Sequence, residues 1–263
     1  MRAAITCAAL LALARPLAAQ DFAPAAGAGP VSGACALLER ALPAPEPQTL
    51  AEALTAAWEG VPQLRTRALA AAAHWRSARV AAGLSQTGEP EWGWTCVALA
   101  AGAAHRTGGC ALRLALTADR TAPFAQAAQA PALAGVTLGG GAWLAPGPGV
   151  RVWAQAPQCA TRGAPPPLVR PLELGASLAR EAARVWFALE APGRGGDGER
   201  ALGVALARGP CELWTEARDG PWRAALGVNA RVRAITCALR ADAHPLLGTR
   251  TTLVLGVGAG ARR

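Results

Sequence analysis

The sequence contains no lysine, no tyrosine, a single methionine and only three phenylalanines in 263 residues. Charged residues make up 16% of it, and all 26 basic residues are arginine. Lysine is missing while alanine, glycine, proline and arginine abound, which marks a drift in composition. The high isoelectric point, about 10.7, is therefore weak evidence for nucleic-acid binding. A nucleic-acid surface gathers its arginines on one element beside exposed aromatics, whereas here they are scattered singly along the chain. No CxxC or CxxH spacing occurs, which argues against a zinc site. The GxSxG, HExxH and P-loop patterns are missing as well. After the first residues no uninterrupted apolar stretch reaches the roughly 20 residues that a spanning helix needs.

The start of the chain has the order of a secretory signal. Arg2 supplies the charge, Ala3 to Ala14 the apolar run, Arg15-Pro16 the break, and Leu17-Ala18-Ala19 the small residues before Gln20. Residues 1–19 are expected to be a cleaved signal peptide, because a twelve-residue run is too short for a membrane anchor. Export leads to an oxidising compartment. Six cysteines remain there (Cys35, Cys96, Cys110, Cys159, Cys211 and Cys237), with fifteen possible complete pairings. Ser32-Gly33-Ala34-Cys35 has the look of a lipoprotein box but lacks a preceding apolar run.

Residues 20–63 read as an irregular leader rich in Pro, Ala and Gly, with one short helix. Thr49 and Glu52 have the spacing of a capping box, which predicts a helix through about Glu59 that plugs or caps the remainder of the chain. Residues 64–263 read as one β domain. Leu112, Leu114 and Leu116 alternate with Arg113 and Thr117; Leu172, Leu174 and Leu178 with Glu173 and Ser177; Val185, Phe187 and Leu189 with Arg184, Trp186 and Glu190. Trp222 to Val232 and Thr251 to Val257 repeat the pattern, and the weaker segments, those at 78–86, 92–102, 136–144, 150–156 and 235–243 among them, bring the expectation to about twelve strands. Turns are expected at Asp219-Gly220, Arg233-Ala234 and 244–248, and longer links at 157–171 and 191–199. No βαβ spacing occurs, so the sheet is expected to be antiparallel, as a sandwich or as a closed up-and-down barrel.

Catalytic readings find little support. His74, His105 and His244 have no nucleophile motif beside them, and His244, before Pro245, reads as a solvated turn residue. Gly139-Gly140-Gly141 reads as a bend or bulge, not a phosphate loop, since no helix follows. The segment 193–199 offers two carboxylates and reads as a hairpin tip, not a calcium loop. Arginines on the polar faces either select anions or pair with Glu173, Glu190, Glu212 and Glu216 to hold a lumen together. No catalytic, cofactor or metal residue is assigned.

ELWTEARDGPWRAALGV (212–228) sets Glu212, Glu216 and Asp219 close to Arg218 and Arg223. A two-residue turn at Asp219-Gly220 makes it a hairpin with Glu216 opposite Arg223, Leu213 opposite Leu226 and Cys211 opposite Val228. A turn at Arg233-Ala234 sets Cys237 opposite Ala230. Cys211 and Cys237 then lie about two strand spacings apart, roughly 9 to 10 Å, beyond disulfide reach.

From about residue 64 to 259 the chain resembles bacterial outer-membrane β-barrels as a class. The likeness lies in the signal-like start, the alternation, the contrast of tight turns with long loops, and Trp75, Trp92 and Trp222 at strand ends. It departs from the class in ending on Ala261-Arg262-Arg263, not an aromatic residue, and in its six cysteines. The resemblance implies a non-enzymatic barrel in the outer-membrane bilayer with a structural or passive-pore role, its ligand an anionic solute or a protein. The other reading of the same residues is a secreted or periplasmic, disulfide-stabilised β-sandwich that binds a partner.

Overall fold

The computed structural model describes residues 34–35, 50–89, 92–120, 133–163, 172–191, 198–219, 222–244 and 248–258. The expected signal peptide and the loop 193–197 lie outside these residues. Fourteen antiparallel strands run through the described chain. The first five are β1 (Leu50–Trp58), β2 (Thr66–Trp75), β3 (Ala78–Glu89), β4 (Trp92–Ala104) and β5 (Gly108–Asp119). Next come β6 (Leu133–Gly147), β7 (Val150–Gly163), β8 (Glu173–Arg180), β9 (Ala183–Glu190) and β10 (Glu199–Arg208). The last four are β11 (Cys211–Asp219), β12 (Arg223–Val232), β13 (Ile235–His244) and β14 (Gly248–Gly258). Each strand pairs with its sequence neighbours, and β1 also pairs with β14, Leu50 opposite Gly258 and Trp58 opposite Arg250. The sheet is thus a closed barrel with no free edge. Closure overturns the sandwich, and the strand number is fourteen where about twelve were expected.

The expected helix after Thr49 is strand β1; among the described residues there is no α-helix, and a 3₁₀ turn lies at Pro62–Leu64. The segment LAEALTAAW carries a period of two beneath its helix-favouring alanines. Glu52, Leu54, Ala56 and Trp58 face inward and are buried, while Ala51, Ala53 and Thr55 face out. Pairing on both sides with β14 and β2 satisfies its backbone groups and overrides the local helical preference.

Successive strands run in opposite directions, so the links alternate between the two ends of the barrel. One end holds the short turns 76–77, 105–107, 148–149, 181–182, 209–210 and 233–234, together with the start of β1 and the end of β14. Arg76, Glu181 and Arg233 take left-handed backbone angles there, with φ of 56°, 53° and 54°. The other end holds links of up to thirteen residues, 120–132 being the longest. At Gly139 the β6–β7 register shifts, and a side chain there would run into the Pro157 carbonyl; the triple glycine accommodates this irregularity.

Fourteen strands at a spacing near 4.8 Å and a tilt near 40° enclose a backbone cylinder roughly 28 Å across. That is too wide for side chains alone to fill as they do in eight-stranded barrels. The outer wall is aliphatic. One continuous row across five strands is Leu69, Leu84, Val97, Leu116 and Val136, each directly opposite the next and all exposed. A second row on the far side runs Leu206, Leu213, Val228, Leu239 and Leu253.

Candidate functional site

The lumen divides into two unlike arcs. On β1 to β5 most inward positions are small: Ala56, Ala68, Ala70, Ala98, Ala111 and Ala115 are buried there, with Ser85, Thr66 and Thr87 among them, while Arg113 stands on β5 and Trp58 and Trp94 lie toward the long-loop end. From β6 to β13 the inward faces carry Trp143, Trp153, Trp186 and Trp214 with arginines and carboxylates.

Three of these tryptophans share one construction. Trp153 lies opposite Gly175, Trp186 opposite Gly203 and Trp214 opposite Gly227, each on the next strand. In each pair the indole occupies the space that a side chain on the glycine would need. The rings therefore lie along the wall instead of projecting across the lumen, covering backbone that glycine leaves bare. Trp153 Nε1 donates to Glu173 Oε1 and Trp186 Nε1 to Glu216 Oε2, both at 2.7 Å. Guanidinium groups cover several inward rings, Arg151 over Trp143 at 4.6 Å, Arg240 over Trp214 at 5.4 Å and Arg250 over Trp58 at 5.1 Å.

The carboxylates gather toward the long-loop end. Glu190 is directly opposite both Glu173 and Glu199, so three acids stand in a row across β8, β9 and β10. Like charges opposed in this way repel. Arginines on the neighbouring strands offset the repulsion. Arg218 reaches Glu216 at 2.8 Å, Glu190 at 3.0 Å and Glu199 at 3.7 Å, and Arg223 also pairs with Glu199. Asp242 holds Arg240 and Arg250 in a second cluster. Toward the tight-turn end Glu212 accepts from Arg184 at 3.1 Å and from Asn229 at 3.0 Å.

The hairpin 212–228 forms, but its register differs by two residues from the expected one. Glu216 faces Ala225, Leu213 faces Val228, Cys211 faces Ala230, and Arg218 faces Arg223. The connection extends from residue 220 to 222 between β11 and β12, longer than a two-residue turn. Proline at 221 fits that longer link, and a shift of two leaves every side chain on its own face. The Glu216–Arg223 pair is accordingly replaced by Glu216–Arg218 along one strand. Cys237 does face Ala230, so Ala230 stands directly between Cys211 and Cys237.

His244 is buried at the end of β13, edge-on to Trp58 with ring centroids 5.7 Å apart, not in a solvated turn. The inward parity of β13 places it in the lumen, which its position before Pro245 did not reveal. His74 lies in β2 opposite Arg79 and His105 is exposed at a turn, so the structure does not bring the three together. Among the described residues no group of three or more His, Cys, Asp or Glu could hold a metal ion. Trp75 and Trp222 stand exposed at opposite ends of the barrel, Trp75 beneath the Arg76 guanidinium at 5.1 Å.

An aliphatic outside, a charged inside, short turns alone at one end and all the longer links at the other complete the pattern. This is the architecture of an outer-membrane β-barrel. No family model matches the chain, and no curated protein matches it. Among solved structures, engineered variants of the porin of Rhodopseudomonas blastica are similar, with a TM-score of 0.45 and 9% identity, covering 81% of this chain and 99% of theirs. A triple mutant of the same porin gives the same values. The fold itself is established by the strand pairing.

Proposed function

We propose that the chain sits in the outer membrane with its tight turns toward the periplasm and its long links outside, and acts as a non-catalytic barrel with a structural or passive-pore role. The observation that carries this reading is the polarity of the wall. The row from Leu69 to Val136 is exposed and aliphatic, while the inward positions between such residues hold Arg113, Glu173, Glu216 and Asp242. In water this arrangement exposes a belt far larger than the apolar patches soluble proteins tolerate; in lipid it needs no cover. The placement of short turns and long links follows the usual orientation of bacterial barrels. A passive role is supported by Glu173, Glu190, Glu212 and Glu216, which are engaged with arginine, tryptophan, glutamine or asparagine and not with one another as an acid and base pair. Arg79 and Arg151 line the tight-turn half of the lumen beside the Arg184–Glu212 pair, an excess of positive charge that suits an anionic solute better than a cation.

The experiment is membrane fractionation with electrophoresis of unheated and boiled samples. The barrel predicts recovery in the outer-membrane fraction and a mobility that changes on boiling. A soluble monomer of unchanged mobility overturns the proposal.

A further inference from the structure

We infer that the chain carries its own lumen ligand: Ala34 and Cys35 dock in the small-residue arc of the lumen, held by Glu52, and narrow the passage. The inference rests on the pore reading for its consequence but not for the docking itself. Ala34 and Cys35 are 2% and 1% exposed, and they pack with Leu54, Ala56, Ala68, Ala70, Cys96, Ala98 and Ala115. The inward parity of these wall residues places the pair inside the barrel. The Cys35 backbone N–H donates to Glu52 Oε2 at 2.7 Å, and Cys35 Sγ lies 3.9 Å from the Glu52 carbonyl oxygen.

Three features suit a peptide guest. The wall opposite Glu52 is Ala70, followed by Gly83 and then Ala98 on successive strands, so side chains leave room there that the tryptophans do not leave elsewhere. Backbone N–H groups taken into a lumen need acceptors, and the buried Glu52 carboxylate is a strong one for Cys35. Glu52 itself sits in a wall of alanines, where a carboxylate without a donor is costly. Each group thus supplies what the other lacks. Because the Arg218 and Asp242 clusters gather toward the long-loop end while Glu52 stands near the start of β1 at the other end, the contact at Glu52 is a separate attachment, and releasing it leaves those clusters untouched.

The test uses the full chain, folded in detergent and then in planar bilayers. N-ethylmaleimide labelling of each cysteine is followed by peptide mass spectrometry, with Cys211, exposed at the start of β11, as internal reference. In the wild type Cys35 and Cys96 label roughly tenfold or more slower than Cys211. In Glu52→Ala the Cys35 rate rises roughly tenfold, the factor expected when a hydrogen bond to a charged group is lost. Should Glu52→Ala lose its boiling-dependent mobility, Ala70→Trp, which fills the seat, gives the same readout. Cys35 labelling as fast as Cys211 in the wild type overturns docking without any variant. A Cys35 rate unchanged in a variant that keeps its boiling-dependent mobility overturns the role of the seat. Bilayer recordings separate the two readings. Larger conductance in the released variant supports a constriction, and a folded variant with Cys35 freed but conductance unchanged refutes one. Absence of conductance in every form refutes the pore while the labelling still decides the docking.

Discussion

Replacing Gly203 by alanine tests the tryptophan and glycine construction of the lumen directly. A methyl group on Gly203 falls within the Trp186 ring, against Cζ2, Cε2 and Nε1. Trp186 is 1% exposed, so the indole has little free volume to move into. To make room it must swing off the wall and give up its hydrogen bond to Glu216 Oε2. Overpacking costs about 1 to 3 kcal/mol, and the hydrogen bond to a charged acceptor about 1.5 to 3 kcal/mol. Gly203→Ala should therefore destabilise the barrel by about 3 to 5 kcal/mol. Gly209→Ala is the control. Gly209 sits in a tight turn with nothing near its missing side chain but with φ of 58°, so strain alone costs about 1 to 2 kcal/mol. The assay is reversible urea unfolding in lipid vesicles, followed by tryptophan fluorescence and by the fraction of boiling-sensitive band. In a Trp186→Ala background the steric term disappears, and the double-mutant cycle should return a coupling of about 2 kcal/mol or more. Equal stability of Gly203→Ala and wild type, or a coupling near zero, refutes the reasoning.

Arg218→Ala should cost about 3 to 5 kcal/mol, because it leaves Glu190, Glu199 and Glu216 close together without their shared cation; the temperature at which the unheated band is lost reports it, and adding Glu190→Gln should recover part of the loss. Val97→Arg places a charge in the middle of an aliphatic row and should cost about 2 to 4 kcal/mol in a bilayer, against about 0.5 kcal/mol or less for a soluble surface, so an unaffected unfolding midpoint in vesicles contradicts lipid exposure. Cys211 and Cys237 flank Ala230 on separate strands, and non-reducing peptide mapping of the folded protein should find no peptide bridging them; such a bridge refutes the register of β11 to β13.

The outer wall was legible in the sequence where its contrast was apolar against polar. Leu112, Leu114 and Leu116 around Arg113 and Thr117 define β5 and its two faces without ambiguity, and the same holds for β8 and β9. Strand β10 escaped because its contrast is large against small. Leu202, Val204 and Leu206 face out while Ala201, Gly203 and Ala205 face in, so a hydropathy pattern shows one apolar run with no face. Strand β1 was misread for a related reason. Its outward face is Ala51, Ala53 and Thr55, which lacks the leucines that mark the other strands, and Thr49 with Glu52 then imitates a helix cap.

The lumen was legible along strands but not across them. Glu216 and Arg218 share a face by parity alone, so their pairing follows from spacing once β11 is accepted. The meeting of Glu199 with Arg223 requires three strands in register, and a two-residue error in one connection moves every cross-strand partner. Such an error preserves faces because it is even, which explains why an approximate register still sorted tryptophan, arginine and glutamate into the lumen. The alcove at Glu52 lay beyond sequence reasoning for a different cause. Alanine on a strand carries no sign of what covers it; only when Ala68, Ala70 and Ala98 are brought onto one curved wall does their smallness become a shape, and only Ala34-Cys35 against Glu52 shows what that shape accommodates. The tryptophans of the opposite arc supply the converse. They lie flat where the facing strand offers glycine, so the lumen owes its width on one side to alanine and on the other to glycine beneath an indole; a larger side chain at Ala70 fills the seat of Ala34-Cys35, and one at Gly203 unseats Trp186.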